Sequence, residues 1–250
     1  MQRYFLDSID NEDGKVRIIG DDYHHIVKVM RMSVGDFITA VFPNEEVAVC
    51  KIDGIHSDYI EASIVEFIQE RRELPVTVTI ASSLLKGDKL DLVIQKGTEL
   101  GAYQFVPFIS SRSIVKLDDK KSSKRQERWQ KIAKEAAEQS ERNRIPEVRN
   151  VCTFKQLLDL SQSYSKVIVA YEEIGRSNNN HQFSQSISGL NDGDSLLVIF
   201  GPEGGFSELE IEAFTAHQFD LCGLGPRILR AETAPLYALS AISFYFELQR

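Results

Sequence analysis

Cysteine is scarce in this 250-residue chain: Cys50, Cys152 and Cys222 are its only three. They are odd in number and far apart, and none stands in a CxxC pair or a Cys/His cluster. Such spacing excludes a disulfide framework and offers no zinc site. The three read as buried free thiols, and no metal centre is expected. Long apolar runs are missing as well, and nothing approaches the ~20 residues that a membrane-spanning helix needs. Met1-Gln2-Arg3-Tyr4-Phe5-Leu6-Asp7 has no apolar signal region, so the expected compartment is the cytoplasm. Neither GxGxxG nor a glycine-rich loop ending in Lys-Ser/Thr occurs, which speaks against a dinucleotide or triphosphate site. Internal repeats and low-complexity tracts are also absent. What remains is ordinary globular composition, 42% hydrophobic and 26% charged, in a chain long enough to bury a real core.

Positive charge is in deficit too. A net charge of −8 argues at first against nucleic acid. The deficit is local, however. Residues 1–70 hold 6 Lys/Arg against 14 Asp/Glu, and the rest of the chain balances. The stretch 112–134 is basic, with Arg112, Lys116, Lys120, Lys121, Lys124, Arg125, Arg128, Lys131 and Lys134 facing only Asp118, Asp119 and Glu127. Two readings stand for it: a phosphate-binding patch, or a solvated helix face.

Residues 1–70 read as short strands at 16–19, 37–42, 47–52 and 60–65, rich in β-branched residues and bounded by turn formers. That pattern suggests a small barrel. Between the first two, Asp21-Asp22 caps a helical piece in which His24, Lys28 and Arg31 recur at helical spacing. They form a small polar grip or a plain surface helix. The charged stretch Glu70-Arg71-Arg72-Glu73-Leu74-Pro75 marks a domain boundary near residue 72. Beyond it, strands at 76–81, 105–109, 166–170, 196–200 and 219–224 alternate with helices at 88–100 and 125–142. The second helix turns Trp129, Ile132, Ala136 and Ala137 inward. Residues 173–195 read as a long polar loop. Such alternation implies an α/β domain with a mostly parallel sheet covered on both faces. A last helix from Thr233 is apolar nearly all round. It is covered either by a subunit interface or by a deep position within the chain.

The chemistry concentrates in two turns. Leu196 to Phe200 stops in Gly201-Pro202-Glu203-Gly204-Gly205, and Leu224 stops in Gly225-Pro226-Arg227. Glycine lets backbone approach a ligand and proline stiffens the turn, so the pair suggests a main-chain ligand site at the carboxyl ends of strands. The first loop suits a flat uncharged group such as adenine. Ser207 and Glu210 form a capping box for the helix that follows. Glu203 is either functional or a loop carboxylate satisfied by backbone N–H groups. Arg227, Arg230 and Glu232 crowd the second turn, where arginine can stabilise an oxyanion and Glu232 can serve the reaction or merely pair with Arg230. His181 and His217 look solvent-facing, so no Ser/His/Asp set is supported.

Four stretches carry a specific resemblance: LDLVIQKGTELG (90–101), RWQKIAKEAAEQSERNRIPEV (128–148), VIFGPEGGFSELE (198–210) and LGPRILRAETAPLYALSA (224–241). With QRYF and HHIVKVMRM near the start, they resemble the RsmE family, bacterial 16S ribosomal RNA uridine N3-methyltransferases of the SPOUT class. The resemblance spans essentially the whole chain. It implies a PUA-like RNA-binding β-barrel over 1–72 and a SPOUT α/β methyltransferase domain with a C-terminal trefoil knot over 73–250. It also implies a homodimer, S-adenosyl-L-methionine as cofactor, and 16S rRNA, within the assembled small ribosomal subunit, as partner. By motif position the cofactor lies against Ala170, Tyr171, Phe200, Gly201, Glu203, Gly204, Leu224, Gly225, Leu229 and Arg230. Ala231 replaces the family's usual Thr, which removes a hydroxyl contact. The acidic first domain shifts the expected RNA contacts to Arg3, His24, Lys28 and Arg31, and to the 112–134 patch with Arg112 and Arg227. Uridine N3 must lose a proton during methylation. Arg230 is assigned to stabilise the carbonyl oxyanion that results, and Glu232 or Glu203 to orient the base or accept the proton. A non-catalytic RNA-binding module is the alternative, and a dinucleotide-dependent oxidoreductase is disfavoured by the missing motif.

Overall fold

A computed structural model of the chain describes residues 1–6, 14–113, 119–176 and 181–249, without the side chains of 119–121 and of 175 and 176. It divides into two compact units, Met1–Glu73 with Ala137–Ile145, and Leu74–Ala136 with Pro146–Arg250.

The first unit contains β1 (Arg3–Phe5), β2 (Lys15–Ile19), α1 (Gly20–His24), β3 (Phe37–Val41), β4 (Val47–Ile55) and β5 (Tyr59–Ile68). Helix α1 runs on into a π-helical turn, His25–Val29. Among the described residues the sheet order is β1-β3-β4-β5-β2, with β1 parallel to β3 and the remaining pairs antiparallel. Alternation sets the faces. In β2, Val16 and Ile18 are buried while Lys15, Arg17 and Ile19 are exposed. The inward residues join Tyr4, Ile26, Ile38, Ile52 and Ile60 in one core. The four anticipated strands are present. Strand β1 was not anticipated, because three residues are too few to show a period.

The second unit contains β6 (Thr77–Ser83), α2 (Lys89–Glu99), β7 (Gln104–Ile109), α3 (Asp119–Gln139), β8 (Glu147–Val148), β9 (Cys152–Thr153), α4 (Phe154–Ser161), β10 (Lys166–Ala170), α5 (Glu172–Arg176), α6 (Gln182–Ser188), β11 (Ser195–Phe200), α7 (Glu208–Ala216), β12 (Asp220–Cys222) and α8 (Thr233–Ser243). The end of α3, from Ala137, groups with the first unit. Among the described residues the sheet runs β12-β10-β11-β6-β7-β8, with β9 also on β7, and every pair is parallel. Leu196 to Phe200 are all buried, as expected for a strand covered on both faces. Gly97 of α2 is a packing glycine: a Cβ there would sit 2.8 Å from the Phe105 ring.

Three expectations are corrected. Residues 173–195 are not one loop, since α5 and α6 lie there and α6 buries Phe183, Ser186 and Ile187. Two apolar residues among serines and glutamines were too weak a stripe to read. Helix α4, closed by a Thr153/Gln156 capping box, was missed altogether. Helix α3 begins at Asp119 and ends at Gln139, earlier at both ends than 125–142. The expectation of free thiols holds: Cys50 and Cys222 are buried, Cys152 is partly so, and burial pushes each thiol up to about 11, which leaves them unreactive near neutral pH.

Candidate functional site

Strands β10, β11 and β12 end at one level. Ala170 is in register with Phe200 on one side and with Cys222 on the other. The chain leaves all three strands there, and the crevice above such carboxyl ends is where open parallel sheets take ligands. A cleft of about 580 Å³ occupies it, within the range of small-molecule sites. Its walls are the three exits: Ala170-Tyr171 after β10, Phe200 to Phe206 after β11, and Leu224 to Glu232 between β12 and α8. Every residue assigned above to the cofactor lines it.

The turns are shaped by their glycines. Gly225 holds φ at +91°, a conformation that side-chain-bearing residues seldom adopt, and faces only the Tyr237 hydroxyl at 3.7 Å. Gly201 is closely packed, because a Cβ there would stand 3.2 Å from the Phe206 ring, which would have to give way by a few tenths of an ångström. Ser207 and Glu210 form the anticipated capping box at the start of α7. Glu210 does more, since its carboxylate also accepts from the Ser111 N–H and Oγ, each at 2.9 Å. Next door, the Arg112 guanidinium donates to the Gly204 carbonyl oxygen at 3.1 Å. The loop after β7 is thereby tied to the first glycine turn.

The carboxylates share one cation that the sequence reading did not name. Lys89, the first residue of α2, places its Nζ 3.1 Å from Glu203 Oε1 and 3.3 Å from Glu232 Oε2. Glu203 also accepts from the Lys86 N–H at 3.3 Å. Partial burial raises its carboxyl, but its own backbone N–H, Lys89 and the Lys86 N–H outweigh that and hold it below the usual range. The hydrogen bond to Glu203, with help from Glu232, in turn raises the Lys89 ammonium against the opposing effect of desolvation. Glu232 therefore pairs with Lys89 and not with Arg230. Its Oε2 is buried and takes no hydrogen bond among the described residues, so the ion pair alone holds it. Arg227 and Arg230 line the cleft, are exposed, and make no side-chain hydrogen bond or ion pair among the described residues. A signal for Lys89 was available: Lys86 to Lys89 follow β6, another central strand that ends at this edge.

Among the residues expected to meet RNA, His24, Lys28 and Arg31 are all exposed, on α1, the π-helical turn and its exit. Arg3 is a correction. It is 6% exposed and donates to the Arg142 carbonyl, to Asn143 Oδ1 and to Glu70, so its guanidinium is spent inside the first unit. In the basic stretch, Arg128 pairs with Asp88 and Asp91, which weakens the phosphate reading for that residue. Lys116 lies outside the described residues, as do the side chains of Lys120 and Lys121. No group of three or more potential metal ligands occurs among the described residues. His181 and His217 are exposed, as expected.

A parallel sheet whose strand ends enclose a glycine-walled cleft fits an RNA methyltransferase, and the family models give that class. A family model described as an RNA methyltransferase domain matches residues 72–243, and one described as an RNA methyltransferase PUA domain matches 18–65. Within that class the chain belongs to the ribosomal RNA small subunit methyltransferase E family. The protein of that name from Bacillus subtilis is 52% identical over 253 residues, covering 100% of this chain and 99% of that one. The Synechocystis protein of the same name is 32% identical over 90% of this chain and 71% of its own. Among solved structures, ribosomal RNA small subunit methyltransferase E from Neisseria gonorrhoeae, bound to S-adenosyl methionine, is similar at a TM-score of 0.84, with 29% identity over 98% of each chain. A putative methyltransferase from Legionella pneumophila, in complex with the same cofactor, gives 0.82 and 27% over 97% of each.

Proposed function

We propose that this protein transfers a methyl group from S-adenosyl-L-methionine to N3 of one uridine in the 16S rRNA of the small ribosomal subunit. The observation that carries the reading is the cleft, in which all ten residues assigned to the cofactor from the sequence come together. Its composition fits such a ligand. Main-chain groups of two glycine turns can meet a flat base, while Glu172, Glu173 and Arg112 line the same cleft as charged partners for a zwitterion. When bound, the cofactor supplies an electrophilic methyl group on a sulfonium. The protein's task is then positioning and charge control. Arg230, exposed and without an ion pair among the described residues, stabilises negative charge on a uracil carbonyl oxygen. Glu203 is engaged by both the Lys89 ammonium and the Lys86 N–H, whereas Glu232 is held by Lys89 alone, so Glu232 is assigned to take the N3 proton.

The same reading includes a domain boundary near residue 72, a trefoil knot in the C-terminal segment, and a homodimer built on α8, which exposes Tyr237 and is followed by the exposed Phe244. Sedimentation at the 28.3 kDa of a single chain would refute the dimer. The reaction is tested by calorimetric titration with S-adenosylmethionine, and by nucleoside mass spectrometry of 16S rRNA from a deletion strain with and without the protein. Cofactor binding and a restored 3-methyluridine are expected. Absence of both would leave a non-catalytic RNA-binding module.

His24, Lys28, Arg31, Arg112 and Arg227 make up the proposed RNA contacts. Lys28→Ala with Arg31→Ala should weaken RNA binding and flatten the log affinity–log salt slope by about 1.5, at roughly 0.7 to 0.9 per phosphate contact. Cofactor affinity should stay constant. An unchanged slope would remove this helix from the RNA interface.

A further inference from the structure

The cleft contains two carboxylates and one ammonium arranged as a unit, Glu203–Lys89–Glu232. Glu203 belongs to the first glycine turn and Glu232 to the end of the second. Lys89 arrives from a third element, α2, whose first residue it is. Both anions converge on a single nitrogen, so without it they would face each other as like charges. The Lys89 side chain is 35% exposed, and those of Glu203 and Glu232 are 26% and 13%. The arrangement is thus partly desolvated on the carboxylate side, where repulsion between two anions is least screened.

We infer that Lys89 is a positioning residue for the methylation: standing between the two carboxylates, its ammonium holds Glu232 in place in the cleft wall and offsets the charge of Glu203 beside it. Glu203 is then a partner that fixes Lys89, not a second base. The fixed end of this chain of contacts is the Lys86 N–H on Glu203 Oε1, which anchors the array to the loop after β6. The other charged groups around it are Asp88, paired with Arg128, and the cleft-lining Arg112, Glu172, Glu173, Arg227 and Arg230. Among the described residues only Lys89 makes an ion pair with either carboxylate. This inference rests on the methyltransferase reading above.

The test is the pH dependence of single-turnover methylation of 16S rRNA by the full-length protein, with S-adenosylmethionine affinity measured in parallel. Lys89→Met should keep cofactor affinity within about threefold. Its rate at neutral pH should fall by about ten- to a hundredfold, less than the ~10²–10⁴-fold of a deleted general base, because Glu232 is mispositioned and not removed. The acid limb of its profile should move up by about one pH unit or more, because one of two facing carboxylates must then hold a proton. Lys89→Arg, which keeps the charge, should leave the limb near its wild-type position. Adding Glu203→Gln to Lys89→Met removes the opposing anion and should bring the limb back down. A lysine that only packs against its neighbours would not give that reversal. A Lys89→Met profile that matches wild type, or a shift that Glu203→Gln does not reverse, overturns the inference while wild-type activity keeps the methyltransferase reading. A wild-type protein that neither binds the cofactor nor methylates RNA overturns both.

Discussion

Arg230→Ala should lower the single-turnover rate of RNA methylation by about 10²- to 10³-fold, the range lost when one preorganised oxyanion donor is removed. S-adenosylmethionine affinity, read by calorimetry, should stay within about threefold of wild type. The two effects separate because the residue's two halves do different work. Its carbonyl oxygen accepts the N–H groups of Thr233 at 2.9 Å and Ala234 at 3.0 Å, which starts α8 and shapes the second turn. Alanine keeps that backbone. The guanidinium, by contrast, is exposed in the cleft wall and has no ion pair or hydrogen bond among the described residues. A charged side chain without a structural partner costs little to remove from the free protein, so its loss should appear where charge develops. Because the effect is confined to the transition state, kcat should fall with kcat/KM. A rate within threefold of wild type would assign the oxyanion to another group, with Arg227, one turn-residue cluster away in sequence and equally unpaired, the next to test.

The site was legible in the sequence to the extent that it is made of backbone. The two turns announce themselves because glycine and proline interrupt runs such as Leu196 to Phe200, and the order of those turns is specific. What the sequence could not show is which side chains from other elements reach them. Lys89 lies more than a hundred residues from Glu203 and Glu232, at the start of an ordinary amphipathic helix. Within α2 its pattern does not set it apart from Lys96, which pairs with Glu99 in the same helix, and the one signal was its place just after β6. Arg112 was singled out only as one member of a basic run, yet its hydrogen bond is to the Gly204 carbonyl. Arg3 shows the opposite error. A basic residue near the start of an RNA-associated domain looked available, but burial and three acceptors fix it inside the fold. In the secondary structure, the five strands expected in the second unit were read to within two residues, while β4 and β5 run three residues past their expected ends. Short or polar elements such as β1, α4 and α6 were not, since their stability comes from tertiary packing that local composition does not encode. The acidic first domain remains compatible with RNA binding because charge acts locally: His24, Lys28 and Arg31 stand exposed on one helical segment, although Asp21 and Asp22 open it.

Glu210→Gln should be among the most destabilising single substitutions in the second unit, lowering the thermal midpoint by roughly 5–10 °C. Glu210 is 4% exposed, and its carboxylate accepts four hydrogen bonds: from Ser207 N–H at 2.8 Å, Ser207 Oγ at 2.9 Å, and Ser111 N–H and Oγ at 2.9 Å. Bonds to a charged acceptor contribute about 1.5–3 kcal/mol, and a neutral amide would turn an NH2 group toward some of these donors. A net loss of about 2–3 kcal/mol corresponds to the stated midpoint shift for a protein of this size. The pH dependence carries the same sign. Burial raises this carboxyl, but the Ser207 and Ser111 backbone N–H groups and the serine hydroxyls outweigh it, so the folded value lies below the unfolded one. The contribution is therefore complete above the unfolded carboxylate value of about 4.3 and disappears as pH falls through the lower folded value. Glu210→Gln should lack that part of the acid sensitivity. The loss should also reach the cleft, because Glu210 fixes Ser111 and the adjacent Arg112 fixes the Gly204 carbonyl. S-adenosylmethionine should bind several-fold more weakly to the folded variant, with dissociation faster than wild type. Should the variant melt within about 2 °C of wild type at neutral pH, Glu210 is only a helix cap, and the tie between the loop after β7 and the glycine turn must be held by Arg112 alone.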